Sequence, residues 1–237
     1  MSTRNTSILL TAIFVISVVT CAQAATIKGK AIYEGKVPKL RPIKMDADPI
    51  CLTKHADAVS PDFLVLGEGN TLANVFVRVI SGVPKKDYPA PAEAAVLDQE
   101  GCLYHPHVMG VMVNQPIDIL NPDGTLHNVH AVAEVNDEFN IAMPKFRKKI
   151  TRTFDKPEVM VKMKCDVHPW MNGFIAVMEH PYFDVSETTG EFSIENLPAG
   201  MYEVEAWHEK LGTQKVKVSL TEGGTEELTF KFSKPQN

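Results

Sequence analysis

Alternation is what most limits this chain. From Thr26 onward, apolar and polar residues exchange places every second position in one short run after another, and almost nowhere does an apolar residue recur at helical spacing. Thr26–Tyr33, Leu72–Ile80, Val108–Val113, Pro116–Leu120, Asn128–Ala133, Ile150–Phe154, Val159–Cys165 and Gly173–Glu179 all read as strands. So do Gly190–Ile194, Met201–Trp207, Lys215–Leu220 and Glu227–Phe232. Only Glu138–Phe146 is irregular enough to suggest a helical turn, and Val37–Pro61 is Pro-rich and weakly patterned. The 16 prolines and 14 glycines supply the turns between strands. The expected class is all-β, built as sandwiches or barrels.

The first 24 residues stand apart. One cation, Arg4, precedes an apolar run from Ile8 to Val19, which ends at Cys21-Ala22-Gln23-Ala24-Ala25. Small residues at Ala22 and Ala24 fit cleavage after Ala24, so residues 1–24 read as a signal peptide and the protein as periplasmic or otherwise exported. The run is too short to span a bilayer comfortably, so no stable membrane span is expected after cleavage. A net charge of −5 gives no basic footprint, which argues against a nucleic-acid partner.

Cys51, Cys102 and Cys165 remain, and an odd number of cysteines in an exported chain suggests one pair and one special thiol. Cys51 and Cys102 are the candidate disulfide. Cys165 ends the strand Val159–Cys165, on the side shared by Val159, Val161 and Met163, while Lys162 and Lys164 mark the opposite side as the wet one. The spacing Cys165-x-x-His168-x-x-Met171 can bring a thiolate, an imidazole and a thioether round one point within one loop. That mixture of soft and intermediate donors suits copper. The turn Asn121–Gly124 and the strand after it offer a second histidine, His127 or His130, which point to opposite faces. Asn128 can link the two ligand loops by hydrogen bonds and orient the ligands from behind. A lone His105/His107 pair could share one face as an accessory metal site, although a surface pair is the ordinary reading. Trp207-His208-Glu209-Lys210 reads as a turn with no further role.

Asn121–Asn128 together with Cys165, His168 and Met171 resembles the cupredoxins, or type 1 blue copper proteins, and the short Cys-x-x-His-x-x-Met loop is similar to that of the amicyanins. The run from Cys102 to Ile117 is similar to the first strands of that family. This resemblance covers about residues 93–180. It implies a Greek-key β-sandwich holding one copper, with His127 rather than His130 as the upstream ligand, Cys165 and His168 completing the plane, and Met171 axial. It also implies electron transport with a redox protein partner and no enzymatic turnover. Pro169 and Trp170 would then form an apolar docking patch round an exposed edge of His168. Gly190–Tyr202 resembles the carboxypeptidase regulatory-like, transthyretin-type (prealbumin-like) β-sandwich, as do the strands at 27–33 and 72–80. On that resemblance, residues 25–92 and 181–237 form one sandwich into which the copper domain is inserted, with no chemistry of its own.

Overall fold

The computed structural model describes residues 23–234. The signal-peptide reading falls almost wholly on residues 1–22, outside that range. Among the described residues, fifteen strands and one short α-helix run in this order: β1 (Ala25–Tyr33), α1 (Pro49–Thr53), β2 (Phe76–Ser81), β3 (Ala95–Asp98), β4 (Val108–Met112), β5 (Ile117–Leu120), β6 (His127–Val132), β7 (Phe139–Met143), β8 (Lys149–Arg152), β9 (Glu158–Lys164), β10 (Asn172–Met178), β11 (Phe183–Val185), β12 (Glu191–Leu197), β13 (Gly200–His208), β14 (Gly212–Leu220) and β15 (Thr225–Phe232). The all-β expectation holds.

The strands form four sheets. A five-stranded sheet, β4-β10-β9-β6-β7, faces a three-stranded one, β3-β5-β8, and alternate residues of both enclose one core. Leu97, Ile117 and Ile119 come from the smaller sheet, and Val129, Val161, Met163 and Ile175 from the larger. A second sandwich joins β12-β1-β15 to β11-β2-β13-β14 round its own core, with Ile27, Phe192 and Phe230 from one sheet against Val77, Val204 and Val218 from the other. Where the sandwiches meet, Phe76 of β2 packs with Val108 of β4 and with Ala176 and Met178 of β10. The Pro-rich stretch does not follow β1 into the second sandwich. Ile43, Met45, Cys51 and Val59 pack against the core of the first.

Three departures from the sequence reading have local causes. Glu138–Phe146 holds a strand, not a helical turn: Phe139–Ala142 pair with Ala131–Asn128, and Met143 with His127. Its alternation is hidden because β7 is the last strand of its sheet, and only Met143 is fully buried. The alternation in β9 holds for Val161, Met163 and Cys165 but fails at Val159, which is 37% exposed. Met160 has φ 66, and the β9–β10 register slips there, so a bulge rotates Val159 to the outside. Finally, Asp48 caps α1 by accepting from the backbone N–H groups of Ile50 and Cys51, with Pro49 in its first turn. That is a start signal the Pro-rich appearance of the stretch conceals.

Candidate metal centre

Three chain segments meet at one end of the first sandwich. His127 opens β6, Cys165 follows β9, and His168 lies in the loop that leads to β10. The loop is closed on itself: the Met171 N–H donates to the His168 carbonyl at 2.9 Å, and the Cys165 N–H donates to the Met171 carbonyl at 3.1 Å. Nδ1 of His127 lies 2.9 Å from Nδ1 of His168, which in turn is 3.9 Å from Cys165 Sγ. The three donor atoms lie within 4.8 Å of one another, and all three residues are buried. One ion forming bonds of about 2.0–2.3 Å fits donors at that separation. Met171 is also fully buried, in the same core cluster as Cys165.

Each imidazole is held from behind by a carboxylate. His127 Nε2–H donates to Asp123 Oδ2 at 3.0 Å, and His168 Nε2–H donates to Asp48 Oδ2 at 3.0 Å. With both Nε2 atoms protonated, the lone pairs of both Nδ1 atoms face the common point, as second-shell carboxylates fix them in metalloproteins. Asp123 is fully buried and accepts from the Gly101 and Cys102 N–H groups and from Lys54. Burial alone would raise its pKa. The hydrogen bonds from His127, Cys102, Lys54 and Gly101 outweigh that and hold it far below the usual carboxylate range. Asp123 in turn raises the pKa of His127 against the lowering effect of burial. Asp48 also accepts from Thr125 Oγ1, at 2.8 Å.

Burial also opposes ionisation of Cys165, yet hydrogen bonds with His127 and His168 and from the Asn128 N–H bring its pKa down to about 6. The sulfur is therefore a thiolate at neutral pH, the form that binds metal. Asn128 ties the ligand loops together. Its N–H points at Cys165 Sγ at 3.5 Å, and its Oδ1 accepts from the Asp166 and Val167 N–H groups at 2.7 and 3.2 Å.

The remaining candidates lie elsewhere. His130 turns outward to Asp166 and Glu138. Met143 offers its sulfur to Gln99 Nε2 at 3.1 Å. Cys51 and Cys102 are joined by a disulfide. His105 is exposed, whereas His107 is buried, with Nε2 on Glu209 and Nδ1 3.1 Å from Asp62, so the two do not share a face. Glu209 thus does more than turn the chain. The expected exposed edge of His168 is corrected: His168 is 2% exposed, because Asp48 covers its Nε2, and the adjacent Trp170 indole donates to the Cys102 carbonyl at 3.0 Å.

Asp48 and Asp123, which hold the two imidazoles, were not singled out in the sequence reading. Both sit in Pro-containing stretches where an aspartate reads as a cap or turn former. The only available signal is that Asp123 stands four positions before His127.

No protein-family model and no curated protein matches this chain. Similar solved structures include a copper-containing nitrite reductase (NirK) from Thermus scotoductus SA-01. It has 19% identity and a TM-score of 0.34, over 43% of this chain and 25% of that one, so this chain spans a quarter of the reductase's length. An oxidized single-residue variant of amicyanin matches at 24% identity and a TM-score of 0.32, over 43% of this chain and 98% of its own. A purple cupredoxin from Nitrosopumilus maritimus matches at 20% identity and a TM-score of 0.30, over 35% of this chain and 99% of its own.

Proposed function

We propose that the chain is an exported, mononuclear copper-binding protein that carries electrons and turns over no substrate. The observation that carries this is the convergence of a low-pKa thiolate and two Nδ1 atoms in one buried pocket, with each imidazole oriented by its own carboxylate. Cys165, His127 and His168 would hold the metal, with Met171 as the weak fourth donor. Copper so held supplies a one-electron couple, since thiolate and imidazole together tolerate both oxidation states. The chain's part is rigidity. His127 and Lys164 belong to paired strands, the 165–171 loop is closed by two backbone bonds, and Asn128 joins one ligand strand to the other loop.

The alternatives are a copper-handling or sensing module that binds the metal without exchanging electrons and a structural β-sandwich that holds no copper, and reversible one-electron cycling of a stoichiometric copper distinguishes the electron carrier from both. The outer strands are read, on their sequence resemblance, as a carboxypeptidase regulatory-like sandwich without chemistry.

The test is metal analysis with visible and EPR spectra of the full chain. One copper per chain, an intense blue or green band, reversible one-electron cycling and loss of the band in Cys165→Ser are expected. A chain that takes up no copper, or holds it without cycling, rejects the reading.

A further inference from the structure

Each imidazole of the centre is backed by a different piece of chain. On the His168 side the way out is closed by Asp48, α1 and the Cys51–Cys102 disulfide. His127 is no less enclosed, with no exposure and Asp123 on its Nε2. His127 pairs with Met143 across the β6–β7 ladder, and the chain then runs straight into Pro144-Lys145-Phe146-Arg147-Lys148-Lys149. Phe146 is 78% exposed, the most exposed large apolar side chain among the described residues. Lys149 is paired with Asp118, but Lys145, Arg147 and Lys148 form no ion pair among the described residues. On a chain of net charge −5, this is a local reversal of sign.

The loop is built to hold this shape. The Arg147 N–H donates to the Pro144 carbonyl at 2.7 Å, and its guanidinium donates to the Ala142 carbonyl at 2.9 Å. The Asn121 N–H donates to the Lys148 carbonyl at 3.0 Å, and the Asn121 side chain donates to the Met143 carbonyl at 2.7 Å. Phe146 is therefore presented outward from a turn bonded to the very segment that carries Asp123 and His127. Two residues, Pro144 and Lys145, separate it from Met143, a reach of about 10 Å at most. A single exposed apolar residue is unremarkable. One that is flanked by three unpaired cations, fixed by four backbone-directed hydrogen bonds and carried by the turn that follows the strand paired with His127 is a recognition element.

We propose that this loop is the docking site for a redox protein whose contact face is acidic, with carboxylates surrounding a shallow apolar notch that receives Phe146. The inference rests on the electron-carrier reading and names the partner's chemistry. Complementary charge raises encounter rates by about 10- to 1,000-fold and is screened by salt, which suits brief electron exchange.

The test uses the copper-loaded, reduced full chain in stopped flow against two probes, basic cytochrome c and its succinylated, acidic derivative. Oxidation by the acidic probe should be fast at low salt and slow as salt rises. The K145E/R147E/K148E variant should lose at least about tenfold of that rate and gain with the basic probe. Phe146→Ser should slow the acidic probe even at high salt, with the visible band unchanged. Unchanged rates in both variants, on a chain whose band and cycling are intact, overturn the docking site and leave the electron-carrier reading standing. Co-sedimentation with phosphatidylserine vesicles that is lost on charge reversal assigns the loop to a membrane surface and equally overturns the proposal. A chain that binds no copper sinks both.

Discussion

Asp123 anchors the site at the scale of single residues. It has no exposure, four hydrogen-bonding partners and one of them is a proposed ligand. Replacing it by Asn keeps the volume but removes the charge that holds His127 Nε2–H. Copper affinity should fall about 10- to 100-fold, measured by competition with a chromophoric chelator, while the far-UV spectrum stays unchanged. Equal affinity would show that Asp123 serves the fold alone. The meeting of Cys165 with His168 was legible in the sequence because the two lie three positions apart and strand parity puts Cys165 inward, whereas His127 was reached only through the family resemblance. The two carboxylates were not legible, because Asp48 is 120 positions from the ring it holds. Nothing in the composition of its surroundings distinguishes it from an ordinary helix cap.

Single strands carry their own tolerances. Gly29 lies in β1 between β12 and the parallel partner β15. A Cβ there would fall 2.0 Å from the Leu228 carbonyl oxygen and 2.9 Å from the Phe192 ring. Gly29→Ala must therefore push β15 away, and a loss of about 1–3 kcal/mol in urea unfolding is expected, the ordinary range for overpacking. Ile119, 1% exposed on β5, tests the opposite defect, since Ile119→Ala should cost about 2–5 kcal/mol through the cavity it leaves. Strands with one wet and one dry face were readable from alternation. β7 was not, being an edge strand, and neither was the short β11, which pairs only with β2. The bulge at Met160 shows the limit of parity, since one inserted residue reverses every orientation before it.

Across the whole molecule, His107 joins parts distant in the chain. It precedes β4 in the first sandwich, and its partners are Asp62 and, in the turn after β13, Glu209. Burial would lower its pKa, but hydrogen bonds to Asp62 and Glu209 raise it to about 9. A histidine raised above its unfolded value of about 6.5 stabilises fully below that pH, and the contribution is lost as pH climbs through 9. The free energy of unfolding should therefore fall between pH 7 and pH 10, by up to about 3 kcal/mol, and His107→Gln should flatten that slope. A slope unchanged in the variant would remove His107 as the cause. The disulfide acts on the same scale. Its loop of 51 residues makes its removal worth about 4 kcal/mol in the chain-entropy account, which a Cys51→Ala/Cys102→Ala double variant would show in its unfolding midpoint.

That loop also encloses β2, a strand of the second sandwich, and the exposed Lys85-Lys86 stretch that follows it. A tryptic cut at Lys86 would separate the polypeptide into two pieces that each keep one half of the cystine. They would migrate as a single species on a non-reducing gel and part only when thiol reagent is added, so a nick in that connector leaves the particle whole.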